Sequence, residues 1–153
     1  MKSNLTASVC VAMIAGIVHT YFLVLCWAYI GAYTPLLRWL VDLGLEGVSL
    51  KVVLYPIDFV TNVALSLPFA LLLVKLRPSK LAVLLVVAVV PSFLWHNYHL
   101  VDSSTVAEYW PSLLFGWTQQ LLALPVAALL VRRVSGPRSP NNVLQDDALN
   151  ARA

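Results

Sequence analysis

Four long apolar runs dominate this sequence, at about residues 8–30, 52–74, 81–100 and 111–131. Each is long enough to cross a bilayer, because a helix rises 1.5 Å per residue and a span needs about 20 apolar residues. A spanning segment must also satisfy its own backbone hydrogen bonds, since lipid offers none. The runs therefore predict an all-α integral membrane protein with four transmembrane helices.

Composition agrees with this prediction. The chain has 153 residues, of which 60% are hydrophobic and only 11% charged, whereas a soluble domain carries about 25% charged residues. The formal net charge of +3 could indicate nucleic acid binding, but the cations lie at the ends of apolar runs and form no basic stripe. We therefore expect the lipid bilayer as the surroundings and no nucleic-acid partner.

The distribution of cations predicts the orientation. A short basic hinge, Lys75–Lys80, joins the second and third runs, and the two terminal segments are basic as well. Near the span ends these three segments hold seven cations: Lys2, Lys75, Arg77, Lys80, Arg132, Arg133 and Arg138. The two opposite loops hold only Arg38 and Lys51. Because cytoplasmic loops collect Lys and Arg, we expect a multi-pass protein of the cell inner (plasma) membrane with both termini in the cytoplasm.

The segments outside the spans lead to three further expectations. The stretch 35–44 in the first outer loop is amphipathic, with Arg38 and Asp42 four residues apart, and predicts a short helix lying in the membrane interface. Pro111 is expected in the first turn of the fourth span, where its missing N–H costs little. Residues 1–134 then form the transmembrane domain, and 135–153, rich in Ser, Pro, Asn and Asp, form a disordered cytoplasmic tail.

Polar residues inside the spans are the first candidate site. On the second span, Tyr55, Asp58 and Asn62 fall on one helical face, and this face must meet other helices or a wet cavity. We expect the centre of the bundle to be lined by hydrogen-bonded polar side chains from three spans. This predicted core polar stripe comprises His19, Tyr55, Asp58, Asn62, Gln119 and Gln120. It could hold the helices together, form a proton or solute pathway through Asp58 and His19, or bind a lipid or partner.

A second candidate site is an aromatic and polar rim at the outer face. Its members are Trp39, Trp95, His96, Asn97, His99, Asp102 and Trp110. The rings alone would suit an interfacial belt, but the two histidines and the amide favour a partner or ligand surface. His96, His99 and Asp102 follow an i, i+3, i+6 spacing that could hold zinc or copper. We expect no resident cofactor and keep this metal site as the alternative.

The remaining motifs point away from an enzyme. The sequence has no Gly-rich phosphate loop, no H-E-x-x-H, no G-x-S-x-G and no C-x-x-C. We therefore expect a non-enzymatic subunit or accessory partner of a membrane complex, contacting another membrane protein or a second copy. One alternative is a small carrier or channel with Asp58 in its pathway. Another is an outer-face metal or redox enzyme that uses His96, His99 and Asp102.

Overall fold

The structure, a computed structural model, describes residues 5–98 and 105–135, and for 105–112 it describes the backbone alone. Within these ranges the chain is almost entirely helical and contains no strand. The helices are α1 (Leu5–Tyr33), α2 (Leu36–Asp42), α3 (Gly47–Leu76), α4 (Leu81–Asn97) and α5 (Thr105–Ser135), with one 3-10 turn at Pro78–Lys80. The tail expected to be disordered was 135–153; Ser135 is the last residue of α5, and 136–153 lie outside the described residues.

Four of these elements are long and apolar enough to cross a membrane: α1, α3, α4 with its preceding 3-10 turn, and α5. The all-helical class and the four candidate spans expected from the sequence are thus confirmed. The short helix expected in the first loop is present as α2, which buries Leu40 (3% exposed) and exposes Trp39 (58%). Its position in a membrane interface, the type of membrane and the sides of the termini stay predictions.

The fourth helix differs from the expectation. α5 begins at Thr105, so Pro111 lies about two turns inside the helix and not in its first turn. Proline also lies inside α3, at Pro56 and Pro68, and inside α4, at Pro91. Membrane helices tolerate such prolines because neighbouring helices and polar side chains can satisfy the freed backbone groups. Proline was therefore a poor marker of a helix boundary in this chain.

The four long helices pack as two parallel pairs. α1 packs chiefly on α4, and α3 packs chiefly on α5. Gly16 of α1 lies directly on the backbone of Ala88 in α4, where an added methyl would overlap the Ala88 carbonyl. In the other pair, Tyr55 is hydrogen-bonded to Thr118 and Asn62 to Gln119, so residue numbers increase in the same direction along α3 and α5. Each close pair therefore joins helices that are not consecutive in the chain.

The two ends of the bundle have different interiors. The end that contains the basic hinge, here called the hinge end, is filled by small and branched apolar side chains with almost no exposure. They include Ala12, Ala70, Leu73, Leu84, Leu124, Ala127 and Ala128. The opposite end, here called the far end, holds the amide and indole side chains and the larger cavities. The candidate site therefore lies at the far end.

Candidate functional site

Two hydrogen-bonded chains of the same composition lie at the far end. In the first, the indole Nε1 of Trp27 in α1 donates to Oδ1 of Asn62 in α3 at 2.7 Å. The amide Nδ2 of Asn62 then donates to Oε1 of Gln119 in α5 at 2.9 Å. Three helices are thereby linked through a single Asn side chain, which is 6% exposed.

The second chain links α4 to α5. The indole Nε1 of Trp117 donates to Oδ1 of Asn97 at 2.9 Å, and Nδ2 of Asn97 donates to Oε1 of Gln120 at 3.0 Å. The same amide nitrogen also donates to the Phe93 carbonyl at 2.9 Å. Because Gln119 and Gln120 are neighbours on α5, the two chains end side by side.

The direction of both chains follows from the tryptophans. An indole N–H can only donate, so each Asn must accept with its oxygen and donate with its nitrogen. Each Gln must then accept with its oxygen, which leaves its amide nitrogen at the end of the chain. Gln119 Nε2 reaches the Tyr55 carbonyl at 3.4 Å, whereas Gln120 Nε2 has no hydrogen-bond partner among the described residues.

His19 is bonded to Ser66 and not to Asp58. Its Nε2 lies 2.7 Å from Ser66 Oγ, and the Ser66 hydroxyl donates to the Asn62 carbonyl at 2.6 Å. Since a hydroxyl has one hydrogen, His19 Nε2 is the donor to Ser66. Asp58 is eight residues away from Ser66, about 12 Å along α3. The expected hydrogen bonding of all stripe residues to one another is therefore wrong for His19 and Asp58.

Asp58 lies in a separate cleft between α3 and α5 of about 240 Å³. The cleft is also lined by Lys51, Tyr55 and Phe115. The Tyr55 hydroxyl donates to Thr118 Oγ1 at 3.1 Å, because the Thr118 hydroxyl already donates to carbonyls of its own helix. Asp58 is half-buried and makes no hydrogen bond or ion pair with any side chain that the structure describes. Tyr55 and Asn62 thus face α5 as expected, but Asp58 stays outside the bonded network.

A cavity of about 290 Å³ occupies the centre of the far end. Its wall combines apolar side chains of α1 with the ends of both hydrogen-bonded chains, and it is lined by Thr20, Leu23, Val24, Trp27, Asn62, His96, Gly116, Gln119 and Gln120. Gly116 and Gln119 also line the Asp58 cleft, so α5 separates the two spaces. A methyl group at Gly116 would meet no atom within 4 Å, so open space reaches the α5 backbone here.

The described residues of the predicted rim do not share one environment in the structure. Trp39 and Trp95 are exposed, and His96 is exposed on one side while lining the central cavity. Asn97 is only 9% exposed and belongs to the second hydrogen-bonded chain, so its expected place on the rim is wrong. Its amide turns inward because Trp117 and Gln120 supply the donor and acceptor that it needs.

The proposed metal set His96, His99 and Asp102 stays a prediction. His99, Asp102 and the side chain of Trp110 lie outside the described residues, and no three His, Cys, Asp or Glu side chains cluster within the described ones. Cys10 and Cys26 are free thiols on α1.

Trp27 and Trp117 are the residues that the sequence reasoning missed. Both sit inside apolar runs, where a tryptophan can pass for another large hydrophobic residue. The available signal was chemical, because a buried indole N–H usually finds an acceptor, and Asn62 and Asn97 were the amides at hand.

The chain was compared with protein-family models, with curated proteins and with solved structures, and no match was found in any of the three comparisons.

Proposed function

We propose that this protein is a non-enzymatic subunit or accessory partner of a larger membrane complex. It belongs to the cell inner membrane with both termini in the cytoplasm, and it docks through the cleft between α3 and α5. The observation that carries the proposal is the position of Asp58, the one acidic side chain of the predicted spans, in an open cleft with no bonded partner among the described residues.

Asp58 differs from the other polar side chains of the bundle in its hydrogen bonding. His19, Asn62, Gln119 and Asn97 each form a hydrogen bond to another helix of the same bundle, whereas Asp58 forms none with the described residues. A charged side chain at the centre of a membrane helix costs about 2.5–3.5 kcal/mol on insertion scales. A partner helix that brings a donor to Asp58 would offset much of this cost and would cover the cleft.

A carrier or channel is the second candidate, because the Asp58 carboxyl could face a solute pathway through the same cleft. The apolar packing of the hinge end weighs against it. Ala70, Leu73 and Leu84 have no exposure there, so a pathway from the Asp58 cleft would require this core to open. We therefore place the carrier below the docking subunit.

The experiment compares three α3 variants of the full chain, purified in mild detergent. We expect Asp58→Leu to lose a stoichiometric membrane partner and Asp58→Asn to keep part of it, because an amide still forms hydrogen bonds. Thr61→Val is the matched control on the same helix, since the Thr61 hydroxyl bonds only to the Ile57 carbonyl of its own helix.

Site-specific cross-linking identifies the contacting surface. A photo-reactive residue at Leu54, which lines the cleft, should cross-link to the partner, and one at Val86 on the exposed side of α4 should not. If Asp58→Leu retains its partner and its cross-link from position 54, the docking proposal is wrong. A homo-oligomer that transports a solute only when Asp58 is intact would favour the carrier.

A further inference from the structure

The central cavity of the far end has a composition that selects a class of ligand. Its volume of about 290 Å³ lies at the lower end of the range of about 300–1,000 Å³ usual for ligand pockets. It therefore has room for a ring or a short segment of a lipid-soluble molecule. Leu23, Val24 and Trp27 provide an apolar wall against which such a group can pack.

The polar lining of this cavity is rich in hydrogen-bond donors. Gln120 Nε2 carries two N–H groups with no partner among the described residues. Asn62 Nδ2 and Gln119 Nε2 each use one N–H within the bundle and keep a second. The oxygens of all three amides already accept a hydrogen bond.

The donor character cannot be reversed by turning the amides over. A flipped Gln120 would place its nitrogen against Asn97 Nδ2, so two donors would face each other. A flipped Asn97 would in turn oppose the indole N–H of Trp117. The Trp117 indole and the Phe93 carbonyl together fix the Asn97 amide, and Asn97 in turn leaves the Gln120 nitrogen available to the cavity that Gln120 lines.

The scarcity of charged side chains in the cavity lining further restricts the class of ligand. The described lining residues include no Lys, Arg, Asp or Glu, and His96 is their one titratable side chain. A cation or an anion would therefore lack a counter-charge from these residues, whereas a neutral carbonyl oxygen finds donors and an apolar wall.

We infer that the central cavity binds a neutral, apolar ligand through a carbonyl oxygen that accepts from Gln120 Nε2. This chemistry is shared by the ring of a membrane quinone and by the ester region of a lipid. The site is separate from the Asp58 cleft, so this inference does not depend on the docking proposal.

The test measures binding to the purified full chain as ligand-dependent thermal stabilisation, which rises with the ratio of free ligand to Kd. Three probes are used: decylubiquinone, dioctanoyl phosphatidylcholine, and decylbenzene as a probe without a carbonyl. We expect at least one carbonyl probe to bind about tenfold more tightly than decylbenzene, the gain expected for one additional hydrogen bond. A preference for the quinone or for the lipid identifies the source.

Two variants examine the role of the amide nitrogen. Gln120→Met keeps the length of the side chain and removes its donors, and should remove the preference for the carbonyl probe while leaving decylbenzene binding unchanged. Trp117→Phe keeps Gln120 and removes one of the two groups that orient Asn97, while the Phe93 carbonyl remains, and should weaken carbonyl binding less than Gln120→Met does. Leu122→Met, on the exposed face of α5, is the control.

The inference is overturned if neither carbonyl probe binds the wild type more tightly than decylbenzene. It is also overturned if Gln120→Met folds and retains the full preference. If Gln120→Met does not fold, the wild-type comparison of the two carbonyl probes with decylbenzene decides the matter.

Discussion

At the scale of single residues, the far end of this bundle depends on groups that can act in only one direction. The indoles of Trp27 and Trp117 can donate but cannot accept, and this sets the orientation of every amide that follows them. Polar side chains within a membrane bundle are commonly worth about 1 kcal/mol per hydrogen bond. The structural effect is larger than that figure suggests, because one indole determines which atoms of two further residues face a cavity.

The His19–Ser66 bond predicts different costs for two buried serines. Ser66→Ala removes the acceptor of His19 Nε2 and should reduce the free energy of unfolding by about 1–3 kcal/mol, the cost of an unsatisfied buried donor. Ser92→Ala is the matched control, since the Ser92 hydroxyl bonds only to carbonyls of its own helix. Both are measured by denaturant unfolding in detergent, and equal losses would contradict the assigned hydrogen bond.

A tryptophan pair tests the first amide chain in the same way. Trp27→Phe leaves Asn62 Oδ1 without its indole donor and should lower thermal stability, again by about 1–3 kcal/mol for an unpaired buried group. Trp95→Phe changes an indole that is 65% exposed and should have little effect. A Trp95 substitution as damaging as the one at Trp27 would show that ring packing, and not the hydrogen bond, controls stability.

At the scale of helices, the backbones of α1 and α4 approach each other closely at Gly16 and Ala88. Ala12, Ala15 and Gly16 form a narrow stripe on α1, and Ala88 of α4 packs on Gly16. Small residues of this kind let helix backbones approach closely in membranes, where packing replaces the hydrophobic effect as a source of association. The pair is parallel and its members are separated in the chain, so the contact ties the first hairpin to the second.

This contact predicts that Gly16→Ala is strongly destabilising. The new methyl would overlap the Ala88 backbone, which cannot move without shifting α4, and overpacking of this kind typically costs about 1–3 kcal/mol or more. Gly31→Ala is the control on the same helix, because an added methyl there meets no atom within 4 Å. Thermal unfolding of the two variants checks the prediction, and comparable melting temperatures would argue against close packing of α1 on α4.

At the scale of the whole molecule, the bundle is divided into an apolar half and a polar half. The hinge end is packed with Ala and Leu, while the far end holds two clefts and two amide chains that meet on α5. The basic hinge Lys75–Lys80 lies beside the apolar half, and only Lys51 and Arg38 are found among the described cations at the opposite end. Most of the described cations and the two cavities thus lie at opposite ends of the bundle.

The charge asymmetry predicts the orientation of the protein in the cell. A reporter enzyme that is active only in the cytoplasm should work when fused after Arg133 and fail when fused after Gly44, because basic ends remain on the cytoplasmic side. Reporter activity is compared at equal expression. The reverse pattern would invert the proposed topology and would place both cavities on the cytoplasmic side.

The sequence alone was sufficient for the properties that depend on local composition. Long apolar runs identified four helices, because length and hydropathy are read along one segment without reference to any other. The 3.6-residue period also placed Tyr55 and Asn62 on the face of α3 that meets its neighbours, where the structure finds them.

Only the tertiary structure decided which polar groups meet. Asn97 turned inward, Asp58 found no bonded partner among the described residues, and His19 paired with Ser66, because these outcomes depend on which helices are adjacent and at what depth. The parallel pairs α3–α5 and α1–α4 bring together residues such as Asn62 and Gln119, 57 positions apart, and Gly16 and Ala88. Periodicity within one helix carries no information about the register of another, so the hydrogen-bonded pairs and the cavities they line emerge only when the four helices pack.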